Sequence, residues 1–120
     1  MQIKESESSI AKVIFERLKL IPKHQAIYFS IPNERPVKQL GRLKALGLTA
    51  GVSDYVLIFK NLTLFIEVKS KKGRLRPSQI EFQQWCNLAS KIGKLKVSYH
   101  VVRSLDDLEN LLKEYGEKLC

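Results

Sequence analysis

The chain has 120 residues, 44% of them hydrophobic, with 21 lysines and arginines against 12 acidic side chains and a formal charge of +9. That length holds one modest core, and two cysteines exclude a disulfide framework; with His24 and His100 they also lack the close spacing of a zinc site. No apolar run reaches membrane-spanning length and the N-terminus lacks a secretory apolar core, so a soluble, cytoplasmic protein is expected. Residues 104–120 hold five acids and two lysines, which leaves residues 1–103 with nineteen basic and seven acidic side chains, a net +12. Such an excess favours a polyanionic partner, nucleic acid above all.

Glu5 to Leu20 has helical periodicity, with Ile10, Val13, Ile14, Leu18 and Ile21 on one stripe. At 100° per residue Glu7 falls near the middle of that stripe and Glu16 opposite it. Two readings of Glu7 stand side by side: a first-turn acid that favours the helix dipole, or a carboxylate aimed inward at a site. Gln25–Ile31 alternates through Ile27, Phe29 and Ile31 and reads as a strand, ended by Pro32 and Asn33. Residues 33–51 form a basic, glycine-punctuated connection with a short helix from Pro36 to Leu46; Arg35, Lys38, Arg42 and Lys44 are placed to reach phosphate oxygens.

The chain then reads GVSDYVLIFKNLTLFIEVK over residues 51–69. Two apolar runs, Tyr55–Phe59 and Leu62–Val68, flank Lys60–Asn61, which is good turn chemistry. In a hairpin about that pair, facing residues have numbers that sum to 121, so Phe59 faces Leu62 and Asp54 faces Glu67. Opposed residues in an antiparallel pair have Cβ atoms about 4.5–5.5 Å apart, and like charges there are destabilising. Alternation puts Lys69 on the face of Glu67, one step on. Two carboxylates and a lysine at the end of an apolar hairpin break the local folding rule, as functional sites do. A hard divalent cation between the carboxylates relieves the conflict, because hard cations take oxygen ligands.

Residues 69–76 follow with Lys69, Lys71, Lys72, Arg74 and Arg76, five positive side chains in eight positions, a phosphate-tracking surface beside the carboxylates. Ser78 and Glu81 fit a capping box that opens a helix running to Ile92, with Phe82, Trp85, Ala89 and Ile92 on its buried side and Trp85 in the core. Gln79 sits in the first turn, where free N–H groups favour an anion. Gly93 closes the helix, and Lys96–Val102 returns as a strand through Val97, Tyr99 and Val101, with His100 on its other side and packed or exposed rather than catalytic. Ser104 caps a last helix with Leu105, Leu108, Leu112 and Tyr115 on its apolar face. This order predicts a single α/β domain, residues 1–120, on a mixed sheet of about four strands flanked by helices.

The Asp54 … Glu67-Val68-Lys69 arrangement resembles the PD-(D/E)xK nuclease superfamily, with its restriction-endonuclease-like core. The strings GRLKALGLTAGVSDYVLI and LFIEVKSKKGRLRPSQ are similar to the virus-type replication-repair nuclease (VRR-NUC) domain, and the similarity runs from about Glu7 to Leu112. The resemblance implies Asp54 and Glu67 as metal carboxylates, with the Val68 carbonyl as a further ligand and one or two Mg²⁺ or Mn²⁺ ions. It implies that Lys69 orients the attacking water or stabilises charge on the transition state. Glu7 matches the first-helix glutamate and Gln79 a supporting glutamine of the second helix. Ser53 departs from the pattern, where a proline often precedes the aspartate. The function implied is a metal-dependent, structure-selective DNA endonuclease, most simply a homodimeric Holliday junction resolvase of a bacterial or virus-infected cell. The alternatives are a flap or single-strand nuclease, a restriction-like enzyme that needs a partner, or a non-catalytic nucleic-acid-binding module.

Overall fold

A computed structural model describes residues 6–31, 52–59, 61–93 and 96–116. In chain order these form α1 (Glu7–Leu18), β1 (Ile27–Ser30), β2 (Tyr55–Phe59), β3 (Leu62–Val68), α2 (Pro77–Ile92), β4 (Val97–Val102) and α3 (Leu105–Gly116). The strands make one sheet in the order β1-β2-β3-β4. The β1–β2 and β2–β3 pairs are antiparallel, whereas β3 and β4 run parallel across the α2 connection, so the expected mixed four-stranded α/β sheet is present.

The hairpin register is the one the sequence predicts, Phe59 opposite Leu62 and Tyr55 opposite Ile66. Because side chains alternate, Tyr55, Leu57 and Phe59 share a face with Leu62, Leu64 and Ile66. That face is covered by α1 and α3: Leu57, Leu64, Ile66, Val68 and Val102 pack with Ile10, Ile14 and Leu18 of α1 and Leu108, Leu111 and Leu112 of α3. Burying each such side chain contributes about 1.5–3 kcal/mol, which makes this layer the main stabilising contact. An Arg17–Glu109 ion pair ties α1 to α3 at its rim. The opposite face carries Phe65 and Tyr99, whose rings meet Phe82 of α2 at 5.0 and 5.9 Å, with Cys86 buried beside them.

Several expectations are corrected. α1 begins at Glu7, after Ser6 caps it by accepting from the Ser9 amide at 3.1 Å, and it ends at Leu18; Val13 is exposed while the rest of the predicted stripe is buried. In β1 the alternation is inverted. Tyr28 pairs with Leu57 and packs against the core beside buried Ala26, whereas Ile27 and Phe29 are exposed. Apolar spacing cannot tell which face of an edge strand a helix covers.

The capping box is also displaced. The N-cap of α2 is Arg76, with Pro77 at the first helical position, and Gln79 at the third reaches back to the Arg76 amide, so Ser78 and Glu81 do not form the box. Proline suits that position because its missing N–H would be unpaired anyway. The buried stripe of α2 is Gln79 and Cys86, with Phe82 and Ala89 half-buried. Trp85 and Ile92, expected in the core, are 53% and 75% exposed. The stripe is rotated because it follows the sheet-facing Cys86 and Phe82 rather than the largest side chains. On α3, Leu111 takes the buried place expected of Leu105. The predicted helix at 36–46 and Arg35, Lys38, Arg42 and Lys44 lie outside the described residues.

Candidate functional site

Three chain segments converge at the end of the hairpin where β3 points toward α2. Ser53 is fully buried, and its hydroxyl donates to the Tyr55 carbonyl at 3.0 Å, which holds the entry to β2. Asp54 is bound to its surroundings on both sides by backbone. Its amide donates to the Ile66 carbonyl at 3.1 Å, its carbonyl accepts from the Ile31 amide at 2.8 Å, and its Oδ2 accepts from the Val68 amide at 2.7 Å. Asp54 thus straddles Glu67, touching the residue on either side of it. The β2–β3 ladder itself ends at Tyr55 opposite Ile66, and Asp54 lies at the bend just before it.

Glu67 is 3% exposed and Lys69 5%, both unusual for charged side chains on a 120-residue protein. The Glu67 carboxyl is pushed up to about 8. Burial is the largest cause and the Asp54 charge the next; the Lys69 charge opposes them, Glu7 adds to the rise, and Arg76 opposes it. Asp54, Glu7, Lys69 and Arg76 therefore all act electrostatically on one carboxyl. Glu7 is the first residue of α1 and half-buried, and its charge adds to the rise at Glu67.

Gln79 orients the carboxylate. Its Nε2 donates to Glu67 Oε1 at 2.6 Å, while its Oε1 accepts from the Arg76 amide at 2.7 Å. The second bond fixes which end of the amide faces Glu67, because only the NH₂ group can donate. The cap of α2 and the orientation of the carboxylate are consequently one device. Val68 gives its amide to Asp54, and in an extended strand N–H and C=O of one residue point to the same side, so its carbonyl also faces β2. Lys69 is held from the other side, its amide donating to Val102 of β4 at 3.0 Å.

Two residues that sequence reasoning missed belong to this end of the sheet. The Tyr99 hydroxyl is buried with no hydrogen-bond partner, and its pKa is raised by burial and then by the charges of Glu67 and Asp54. Arg103 pins the basic turn after Lys69. Its Nη1 donates to the carbonyls of Ser70 at 2.7 Å, Gly73 at 2.6 Å and Lys71 at 3.4 Å. Gly73 closes that turn onto the Ser70 carbonyl at 3.0 Å, and a Cβ there would stand 2.9 Å from Ser70 Oγ. The turn faces its carbonyls to Arg103 and leaves Lys71, Lys72, Arg74 and Arg76 exposed. Tyr99 has no sequence signal because its neighbour is set by the parallel β3–β4 register; a lone arginine after a strand has none either.

The donor set suits a hard cation. Carboxylates of Asp54 and Glu67, a facing carbonyl and an orphaned hydroxyl able to meet a metal-bound water are all oxygen groups, the set that Mg²⁺ prefers. Among the described residues no three His, Cys, Asp or Glu side chains stand close enough together to hold a metal ion, so Glu7 is not brought into one ligand cluster with Asp54 and Glu67. His100, by contrast, packs its ring against Tyr115 at 5.9 Å and hydrogen-bonds Ser98 at 2.6 Å, as expected of a structural histidine.

No protein-family model matches the chain, and no curated protein matches it.

Proposed function

We propose that the chain is a metal-dependent nuclease of the PD-(D/E)xK, VRR-NUC type that hydrolyses DNA phosphodiester bonds. The observation that carries this reading is half-buried Asp54, bonded to the Val68 amide beside buried Glu67 and felt at its carboxyl, with Lys69 buried further along the chain. A Mg²⁺ or Mn²⁺ ion held by Asp54, Glu67, the Val68 carbonyl and, through water, Glu7 would supply a Lewis acid and a water of lowered pKa. Gln79 fixes the Glu67 carboxylate in one orientation. Asp54 is held by three hydrogen bonds to backbone groups and needs no reorganisation. The Lys69 ammonium sits where negative charge develops on the phosphate, and preorganised charges of this kind supply much of an enzyme's rate enhancement. Lys71, Lys72, Arg74 and Arg76 line the adjoining surface and take the flanking phosphates.

Exposed Lys71, Lys72, Arg74 and Arg76 suit phosphates rather than base edges, so backbone and shape recognition dominate in this reading and structured DNA is the substrate it favours. A homodimer that resolves four-way junctions is the form this reading favours, since two symmetric sites nick two opposed strands. The test is incubation of the full chain with a labelled four-way junction, a flap and a linear duplex, each with Mg²⁺, Mn²⁺ or EDTA. Junction cleavage with a metal and none with EDTA is expected. Cutting of flaps alone removes the resolvase assignment, and uncut but bound DNA under every metal replaces the nuclease with a binding module.

A further inference from the structure

We propose that the cleft at the far end of the sheet from Glu67 binds a single nucleotide, base inward and phosphate outward. The β2–β3 turn, the start of β4 and the last turns of α2 and α3 meet there around a cavity of about 330 Å³. That volume is at the small end of ligand pockets and suits one ring system with a short polar arm. Leu62 in the cleft and Glu67 at the candidate metal site are five residues apart on β3, about 17 Å in an extended strand. The two sites are therefore separate.

The floor of the cleft is apolar and aromatic. Phe59 is buried there, with Leu62, Val97, Ser98 and Tyr115 half-buried beside it. The Phe59 and Tyr115 rings meet edge to face at 6.1 Å, and the His100 imidazole braces Tyr115 from 5.9 Å, so the wall offered to a flat ring is already built. Ser98 selects the kind of ring. Its Oγ lies 2.6 Å from His100 Nε2, and a hydroxyl engaged once in this way keeps a further donor or acceptor position for the cleft. A hydrocarbon ring would leave that position unpaired, whereas the heteroatoms of a nucleobase edge can meet it.

The rim carries the charge. Asn61, Ser90 and Lys96 are exposed, and none of their side chains hydrogen-bonds or ion-pairs with another described residue. Among the described lining residues only Lys96 is charged, and its carbonyl accepts from the Thr63 amide at 2.8 Å, which fixes its backbone at the mouth. An anionic group is thus drawn to the rim. Both α2 and α3 end beside the cleft with their carbonyl ends, whose partial negative charge keeps an anion off the floor. An ammonium, a hydroxyl and a carboxamide supply donors for phosphate oxygens. A nucleoside monophosphate presents a neutral planar ring and a terminal anion in that order. It can come from solution or from the 5′-phosphorylated end of a strand.

Calorimetric titration of the full chain with dAMP, deoxyadenosine and inorganic phosphate, with amide shifts followed by NMR, tests the proposal. EDTA is present throughout, so that no divalent cation carries phosphate to Asp54 and Glu67. Sub-millimolar binding of dAMP is expected, at least about tenfold tighter than deoxyadenosine or phosphate alone, with shifts at the amides of Asn61, Val97 and Ser98. Lys96→Ala should weaken dAMP roughly tenfold and leave deoxyadenosine unchanged, the loss of one charge-assisted contact. Ser90→Tyr, which fills the mouth from an exposed helix position, should abolish dAMP binding with an unchanged thermal melt. Short oligonucleotides with a 5′-phosphate or a 5′-hydroxyl then separate the sources. Preference for the phosphorylated end assigns the cleft to strand ends, and dAMP binding without that preference assigns it to free nucleotides. No dAMP binding below about 10 mM, shifts confined to residues 69–76, or full affinity in Lys96→Ala or Ser90→Tyr overturns the site. None of these readouts involves cleavage, so the nuclease reading can fail while the nucleotide site stands, and the reverse.

Discussion

Replacing Glu67 with glutamine removes the ionisation that the fold resists most, and the structure sets the size of the effect. The carboxyl titrates at about 8 in the folded chain against an ordinary 4.5. A raised folded-state pKa favours the protonated form in the fold, so that stability is complete below pH about 4.5 and is lost as pH rises through about 8. At 1.36 kcal/mol per pH unit the ceiling is roughly 4–5 kcal/mol above pH 8. Local rearrangement toward water reduces it to about 2 kcal/mol. Glutamine keeps the side chain's shape and an acceptor for Gln79 Nε2 while removing the charge. Thermal melts of both proteins in EDTA from pH 5 to 8.5 provide the assay. Near pH 5 the two should melt together, and by pH 8.5 Glu67→Gln should melt higher by about 5–10 °C. Adding Mg²⁺ at pH 8 should then stabilise wild type and leave the variant unmoved. A gap that stays flat with pH, or equal stabilisation of both proteins by Mg²⁺, would refute the reasoning.

The remaining predictions concern the neighbours of that carboxyl. Tyr99→Phe removes a buried hydroxyl without a partner, so the melt should hold or rise by up to about 1 kcal/mol of stability, while Mn²⁺ affinity measured by calorimetry falls. Arg103→Gln frees the Ser70–Gly73 turn from three hydrogen bonds and should cost roughly 1–3 kcal/mol in chemical denaturation. It should also weaken DNA binding, and Arg103→Lys should restore part of both. Lys71→Ala/Lys72→Ala should reduce the slope of log affinity against log salt by about 0.9 for each phosphate no longer neutralised, read by fluorescence anisotropy on duplex DNA. Leu64→Ala, at the centre of the sheet's buried face, should cost about 2–5 kcal/mol with no dependence on pH or metal.

What can be read from the sequence follows the range over which each feature is determined. The hairpin register needs only a tight turn and the period of a strand, both local, and the observed pairs agree with that arithmetic from Phe59 opposite Leu62 to Tyr55 opposite Ile66; Asp54 lies one residue beyond the last pair, at a bend. Helical spacing alone puts Glu7 on the inward side of α1, and its charge is felt at Glu67. Gln79 does lie in the first turn of α2, although through a different cap: Ser78 and Glu81 match the capping pattern, but Pro77 favours an earlier start and Gln79 itself supplies the reciprocal bond. Features set at long range are hidden. Tyr28 rather than Phe29 faces the core because β1 is an edge strand whose covered face depends on where α1 lies. Large aromatic residues are usually inside, yet the sheet takes Phe82 and Cys86 and leaves the Trp85 indole out. Tyr99 and Arg103 reach the site only through the pairing of β4 with β3 across the whole of α2, which no local pattern encodes.

The most direct check is the cleavage rate of Lys69→Ala on labelled DNA with Mg²⁺, taken beside its DNA affinity in Ca²⁺. A loss of at least about a hundredfold in rate with affinity held within about threefold is the expected result, the scale of removing one preorganised electrostatic stabiliser. Near-normal turnover in that variant would place the chemistry somewhere other than the end of the β2–β3 hairpin.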